Sequence, residues 1–297
     1  MENDALKNEF RSVSESAVHL SFLSDYLSAN DKIFVQPLTG FVTSQKRMTD
    51  VDVVSYWSNT IFPDKSIESY SAHFPFAQSR LIYVIETVAQ FSGLDMRSSL
   101  TWGDFATGEG VLLDLLSMRF PNLHVTATEH SKELVEGLQS KGFAVQQRSL
   151  GVTNNDLSFG QVDIATLTWT LANSIDPFAV LSDVVSSTKE GGLVCVAESS
   201  RVLVPFRKSL RDYFSKTMPA DLHPSNFSAN TLRCLMQICG LEICYVNRYF
   251  DSDVLLVIGK KVSHKIEPSF VDNQTNVVEF FKEWHRQTRY FESLRGI

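Results

Sequence analysis

From Leu100 onward, short apolar runs alternate with amphipathic stretches at a regular interval. Runs at about 100–104, 123–128, 143–147, 162–169 and 193–198 read as buried strands, and stretches near 110–119, 131–140, 177–188 and 229–239 read as helices. This alternation predicts a mostly parallel α/β sheet with helices on both faces, right-handed crossovers, and ligand sites at the carboxyl ends of the strands. Two further apolar runs, 241–248 and 254–260, are joined only by Tyr249-Phe250-Asp251-Ser252-Asp253. That link is too short for a helical crossover, so the last strand must be antiparallel.

The flanks follow other patterns. Leu6, Phe10, Val13, Ala17 and Leu20 have helical spacing, which predicts a helix within residues 1–30 laid on the body. Ile33-Phe34-Val35 and Phe41-Val42-Thr43 enclose Pro37-Leu38-Thr39-Gly40 and read as a β-turn unit. Residues 50–78 have no clean period and carry Tyr56, Trp57, Phe62, Tyr70, His73, Phe74 and Phe76, which suit either the wall of a ligand pocket or the packing of a cap. Residues 78–91 read as a helix with Leu81, Val84, Ile85, Val88 and Ala89 on one face. Arg80 lies at its start, where a cation could meet a ligand carboxylate or simply face solvent. After a polar linker around 267–276, Val277, Phe281, Trp284, Thr288, Phe291 and Leu294 form one stripe of a terminal helix. This helix either docks on the protein or joins two copies in a homodimer, and docking is the favoured expectation. The organisation expected is a cap at 1–78, an α/β domain at 79–262, and a linker with a terminal helix at 263–297.

Of the 297 residues, 43% are hydrophobic, ample for a large core. A net charge of -7 argues against a nucleic-acid partner, which needs a basic face. The start MENDALKNEF lacks a basic, apolar signal segment, and no apolar run approaches the roughly 20 residues that span a bilayer. Cys195, Cys234, Cys239 and Cys244 include no C-x-x-C pair. Free thiols in a cytoplasmic protein with no metal site and no membrane association are the expectation.

The candidate chemistry centres on Asp104-Phe105-Ala106-Thr107-Gly108-Glu109-Gly110, where a strand ends in an acid and a small-residue loop opens a helix. Gly108 and Gly110 can take backbone angles closed to other residues, and the helix start directs free N–H groups at the loop. A dinucleotide fingerprint requires a third glycine, but Leu113 stands in its place. The stretch instead resembles the first motif, D-x-G-x-G-x-G, of the class I S-adenosylmethionine-dependent methyltransferases, with Ala106 in place of the first glycine. The resemblance implies a Rossmann-like, doubly wound sheet of seven strands whose last strand is antiparallel, with S-adenosylmethionine as cofactor. It places Asp104, Ala106, Thr107, Gly108 and Gly110 at the cofactor. Glu129, 19 positions after Gly110, matches an acid about 20 residues beyond such a loop that takes both ribose hydroxyls.

The run from Val162 to Pro177 resembles the family's D-x-(apolar run)-x-x-L-x-H-x-x-D-P segment, which places Thr168 and Trp169 along the cofactor. Two positions commonly filled by Glu and His are Ala172 and Asn173 here. Tyr56-Trp57-Ser58-Asn59 with Tyr70, and His223-Pro224-Ser225-Asn226-Phe227-Ser228, resemble elements of bacterial sugar C- and O-methyltransferases, so Tyr70 joins the cofactor candidates, as does Arg80 from its place at the helix start. The acceptor implied is a small molecule, a sugar or nucleotide-linked sugar. His223, on a loop and with an intrinsic pKa near neutrality, is the candidate general base. Asn155 and Asp156 are equal candidates for adenine. Arg201, Arg207 and Arg211 could clamp a diphosphate or form a solvated face. Two rivals stand: a catalytically silent scaffold of the same fold, motivated by Ala106, Ala172 and Asn173, and a nicotinamide-dependent oxidoreductase, disfavoured by Leu113 and the terminal hairpin.

Overall fold

The computed structural model describes residues 2–28, 30–45, 52, 55–56, 77–152, 157–199, 202–204, 209–214, 223–247 and 254–296. The described chain begins with α1 (Glu2–Arg11), β1 (Val18–His19), β2 (Ile33–Val35), β3 (Val42–Ser44) and α2 (Ala77–Phe91). The alternating section follows as β4 (Thr101–Phe105), α3 (Val111–Arg119), β5 (His124–Glu129), α4 (Lys132–Ser140), β6 (Ala144–Gln147), β7 (Val162–Thr168), α5 (Pro177–Ser186) and β8 (Thr188–Glu198). The chain closes with α6 (Leu210–Tyr213), β9 (Ser225–Asn226), α7 (Ala229–Ile238), β10 (Leu241–Val246), β11 (Leu255–Lys261) and α8 (Gln274–Arg295).

The large sheet has seven strands in the order β10-β11-β8-β7-β4-β5-β6. Strands β8, β7, β4, β5 and β6 run parallel. β11 inserts antiparallel between β8 and β10, as the short link after residue 248 requires. The strand order reverses between β4 and β7, so the carboxyl ends of these two strands border the switch-point crevice where such sheets take ligands. Apolar side chains fill both faces. Phe105, Leu167, Val196 and Leu235 lie in one layer, and Trp102, Ile164, Cys195 and Leu256 in the other.

A second sheet, β1-β2-β3-β9, has four short antiparallel strands. Its last strand comes from residues 225–226, so the N-terminal region is bound to the segment preceding α7. The helix expected across residues 1–30 ends at Arg11. Gln36 accepts the Ser14 N–H at 3.1 Å and donates to the Glu9 carbonyl at 2.8 Å and the Ser12 carbonyl at 2.6 Å, so it replaces the next helical turn. The serines that follow Arg11 favour such local bonds over helix.

The terminal helix docks. Val277, Phe281 and Trp284 are buried with Leu20, Leu23, Ile33, Val35 and Phe214. The expected stripe turns at its end: Phe291 and Leu294 are 59% and 66% exposed, while Glu292 is buried and accepts from Arg211 Nε at 2.8 Å. Among the described residues, no helix is long and apolar enough to cross a membrane.

Candidate active site

Four adjacent strands end flush at the crevice. β4 delivers Asp104, β5 delivers Glu129, β7 delivers Thr168 and Trp169, and β8 delivers Glu198. Asp104 is 1% exposed and accepts the Thr166 hydroxyl at 2.8 Å, and that hydroxyl accepts the Trp102 indole N–H at 3.2 Å. Thr166, the register partner of Asp104 on neighbouring β7, thus fixes the carboxyl. Burial pushes its pKa up to about 6, and the nearby charge of Glu129 adds to the rise.

The loop after β4 has the backbone that the glycine pattern predicts, including at its departure. Ala106 takes φ +59°, the left-handed region that favours glycine, and accepts strain of about 1–2 kcal/mol there. Its N–H donates to Thr128 Oγ1 at 3.4 Å, and the Thr107 N–H donates to the Thr128 carbonyl at 3.0 Å, tying the loop to β5. The two glycines serve different ends. At Gly110, the N-cap of α3, a Cβ would overlap the Leu138 side chain. At Gly108, φ is +59° and a Cβ would meet nothing within 4 Å, so the space above that backbone is open.

Glu129 points into this loop. Its Oε2 accepts the Gly108 N–H at 2.9 Å and its Oε1 accepts the Ser131 N–H at 2.8 Å. Each carboxylate oxygen keeps a lone pair for a further donor. Glu109, in the same loop, is also buried, and burial raises its pKa with Glu129 contributing. Asp104, Glu109 and Glu129 therefore make the loop a region of negative potential. A pyrophosphate is repelled there, whereas a cationic ligand is drawn in.

Thr168 ends β7 half-buried, and Trp169 turns the chain with φ +51° while its N–H donates to the Ala197 carbonyl at 2.7 Å. Its indole Nε1 is buried without a hydrogen-bond partner among the described residues. The following 3-10 turn, Leu171–Asn173, carries the Ala172 and Asn173 positions. Arg80 is half-buried on the first turns of α2, which packs on α3, the helix that the loop opens. Tyr70, Asn155, Asp156, Arg201 and Arg207 lie outside the described residues. Arg211 pairs with Glu292 and lies over the Tyr26 ring, so it is engaged in holding α8.

His223 lies two residues before β9, the strand that joins the small sheet, and burial pushes its imidazole down to about 4, neutral at physiological pH. Glu198 is a residue that the sequence reading passed over. It is 1% exposed, its Oε1 accepts the Leu171 N–H at 2.7 Å and the Ala172 N–H at 3.3 Å, and burial pushes its pKa up to about 8. The signal for it was present: an acid closing an apolar strand at its carboxyl end, as in Asp104 and Glu129.

No protein-family model matches the chain, and no curated protein sequence matches it. Solved structures do match. Magnesium protoporphyrin IX methyltransferase (ChlM) from Synechocystis PCC 6803, with bound S-adenosylmethionine, superimposes with a TM-score of 0.50 at 12% identity, over 72% of this chain and 98% of that one. The CurJ carbon methyltransferase gives 0.53 at 12% identity, over 69% and 61%. The plantazolicin methyltransferase BpumL, in complex with S-adenosylhomocysteine, gives 0.51 at 10% identity, over 70% and 93%. With the sheet order and the antiparallel β11, these likenesses show that the chain has the Rossmann-like methyltransferase fold.

Proposed function

We propose that this protein is an S-adenosylmethionine-dependent methyltransferase acting on a small-molecule acceptor. The observation that carries the reading is the loop itself: an open space over Gly108, the Glu129 carboxylate directed at the Gly108 N–H, and two further buried acids, Asp104 and Glu109. A sulfonium and an ammonium suit this negative potential, and ribose hydroxyls suit Glu129. The residues that would hold the cofactor are Asp104, Ala106, Thr107, Gly108, Gly110 and Glu129, with Thr168 and Trp169 beside them and Tyr70 and Arg80 as outer candidates. When bound, the cofactor supplies an electrophilic methyl group, so the chain's own task is alignment, exclusion of water and removal of one proton from the acceptor.

A sugar or nucleotide-linked sugar is the acceptor class that the resemblance of residues 223–228 supports, and His223, neutral near pH 7, is a candidate to take the proton. An acidic chain with no helix to cross a membrane among its described residues suits a cytoplasmic setting with no nucleic-acid partner. A homodimer through α8 would use its exposed end, Tyr290, Phe291 and Leu294. Incubation with methyl-labelled S-adenosylmethionine and a panel of hexoses and nucleotide hexoses tests the activity by mass shift of the acceptor. Cofactor binding without transfer to any acceptor would favour a catalytically silent scaffold, the reading that Ala172 and Asn173 motivate.

A further inference from the structure

Three buried polar atoms without hydrogen-bond partners among the described residues lie on elements that pack together at the carboxyl end of β8. Glu198 Oε2, Asn173 Oδ1 and Ser225 Oγ each lack a hydrogen-bond partner among the described residues. Their placement is shared. Glu198 holds the 3-10 turn Leu171–Asn173 through its other oxygen, Asn173 is the last residue of that turn, and β9, which contains Ser225, packs against the same turn. The side of β9 follows from strand alternation. Asn226 faces the α8 side, where its Oδ1 accepts the Tyr213 hydroxyl at 2.6 Å, so Ser225 faces the opposite way.

Buried acceptors are normally satisfied, because leaving one bare forfeits its bonds to water. Three in one place call for a ligand that brings its own hydrogens. The amide oxygen only accepts, the serine hydroxyl can do either, and so can Glu198, which is mostly protonated near pH 7 and, with Oε1 taken by two N–H groups, carries its hydrogen on Oε2. The complementary molecule carries several O–H or N–H donors close together, as a polyol ring does. An apolar aromatic acceptor would leave these atoms bare.

We propose that Glu198, Asn173 and Ser225 form a polar subsite that holds the hydroxyl-bearing face of the methyl acceptor, with Glu198 Oε2 receiving one hydroxyl hydrogen. This rests on the methyltransferase reading for the neighbouring cofactor, and it supplies the recognition chemistry that the sugar resemblance leaves unassigned. Glu198→Gln is the informative variant. The amide oxygen must stay with the Leu171 and Ala172 N–H groups, so an NH2 that can only donate replaces an O–H that also accepts, while the turn remains held.

The test uses the full chain with UDP-hexoses and methyl hexosides as probes and toluene and anisole as apolar controls, titrated with and without S-adenosylhomocysteine. At least one hexose-bearing probe binds, Glu198→Gln and Ser225→Ala each weaken it about tenfold or more, and S-adenosylhomocysteine affinity stays within about twofold. Equal hexose binding by wild type and both variants overturns the subsite, as does binding of the apolar aromatics alone or of no hexose-bearing probe. If S-adenosylhomocysteine fails to bind while a hexose probe binds with the same variant losses, the subsite stands and the cofactor reading falls. If neither binds, both fall.

Discussion

Glu129 Oε2 accepts the backbone N–H of Gly108 at 2.9 Å, so the acid that ends β5 is bonded to the loop that ends β4. This bond places a carboxylate at the rim of the open space over Gly108, where the proposed reading puts the ribose hydroxyls. Glu129→Gln should weaken S-adenosylhomocysteine binding by about tenfold or more, since a charge-assisted pair becomes a neutral one. A 2′,3′-dideoxy analogue should bind wild type and variant alike. Equal losses for both ligands would show that Glu129 acts only by holding the loop.

The two glycines should separate stability from binding. Gly110→Ala drives a Cβ into Leu138 at φ +78° and should cost about 1–3 kcal/mol of unfolding free energy. Gly108→Ala meets no neighbour, so its stability cost should be that of the left-handed backbone alone, about 1–2 kcal/mol, while its methyl enters the cofactor space and lowers affinity. Denaturant midpoints set beside ligand titrations of both variants check this, and a binding loss confined to Gly110→Ala would reverse the assignment.

Glu198 gives a pH signature. Its folded pKa, about 8, lies above the ordinary value of 4.5, so the folded state binds this proton more tightly than the unfolded chain. Its contribution to stability is complete below about pH 4.5 and is lost as pH rises through about 8. Glu198→Gln removes this dependence. Between pH 5 and 8 the melting temperature of the wild type should fall relative to that of the variant, and parallel melting curves would show that Glu198 ionises freely in the folded protein.

Trp284, 1% exposed, anchors the terminal helix against Tyr213 and stacks on Phe281 of the same helix. Trp284→Ala should cost about 3–5 kcal/mol in unfolding free energy. S-adenosylhomocysteine affinity should change by less than about twofold, because the cofactor candidates lie on the large sheet.

What the amino-acid sequence reveals here depends on the range of the interactions. The parallel strands are legible because a strand covered on both faces must be a short apolar run, and the antiparallel β11 because five residues cannot hold a crossover helix. Asp104, Gly108 and Glu129 are legible because loop geometry sets their spacing. The small sheet's fourth strand is only two residues long and pairs with β3 from far along the chain, so no local pattern announces it. The early end of α1 depends on Gln36, and the role of Glu198 on the N–H groups of Leu171 and Ala172, both contacts across the fold. The exposed Phe291 and buried Glu292 show the same limit: an amphipathic stripe marks a face, and Arg211 decides where that face ends.

Calorimetric titration of the intact protein with S-adenosylhomocysteine tests the central claim most directly. The account predicts micromolar-range binding that Asp104→Ala abolishes, and wild-type affinity that rises with pH through about 6 as Asp104 ionises to meet the ligand's ammonium group. Heat flow no different from dilution, at ligand concentrations up to the millimolar range, would contradict it.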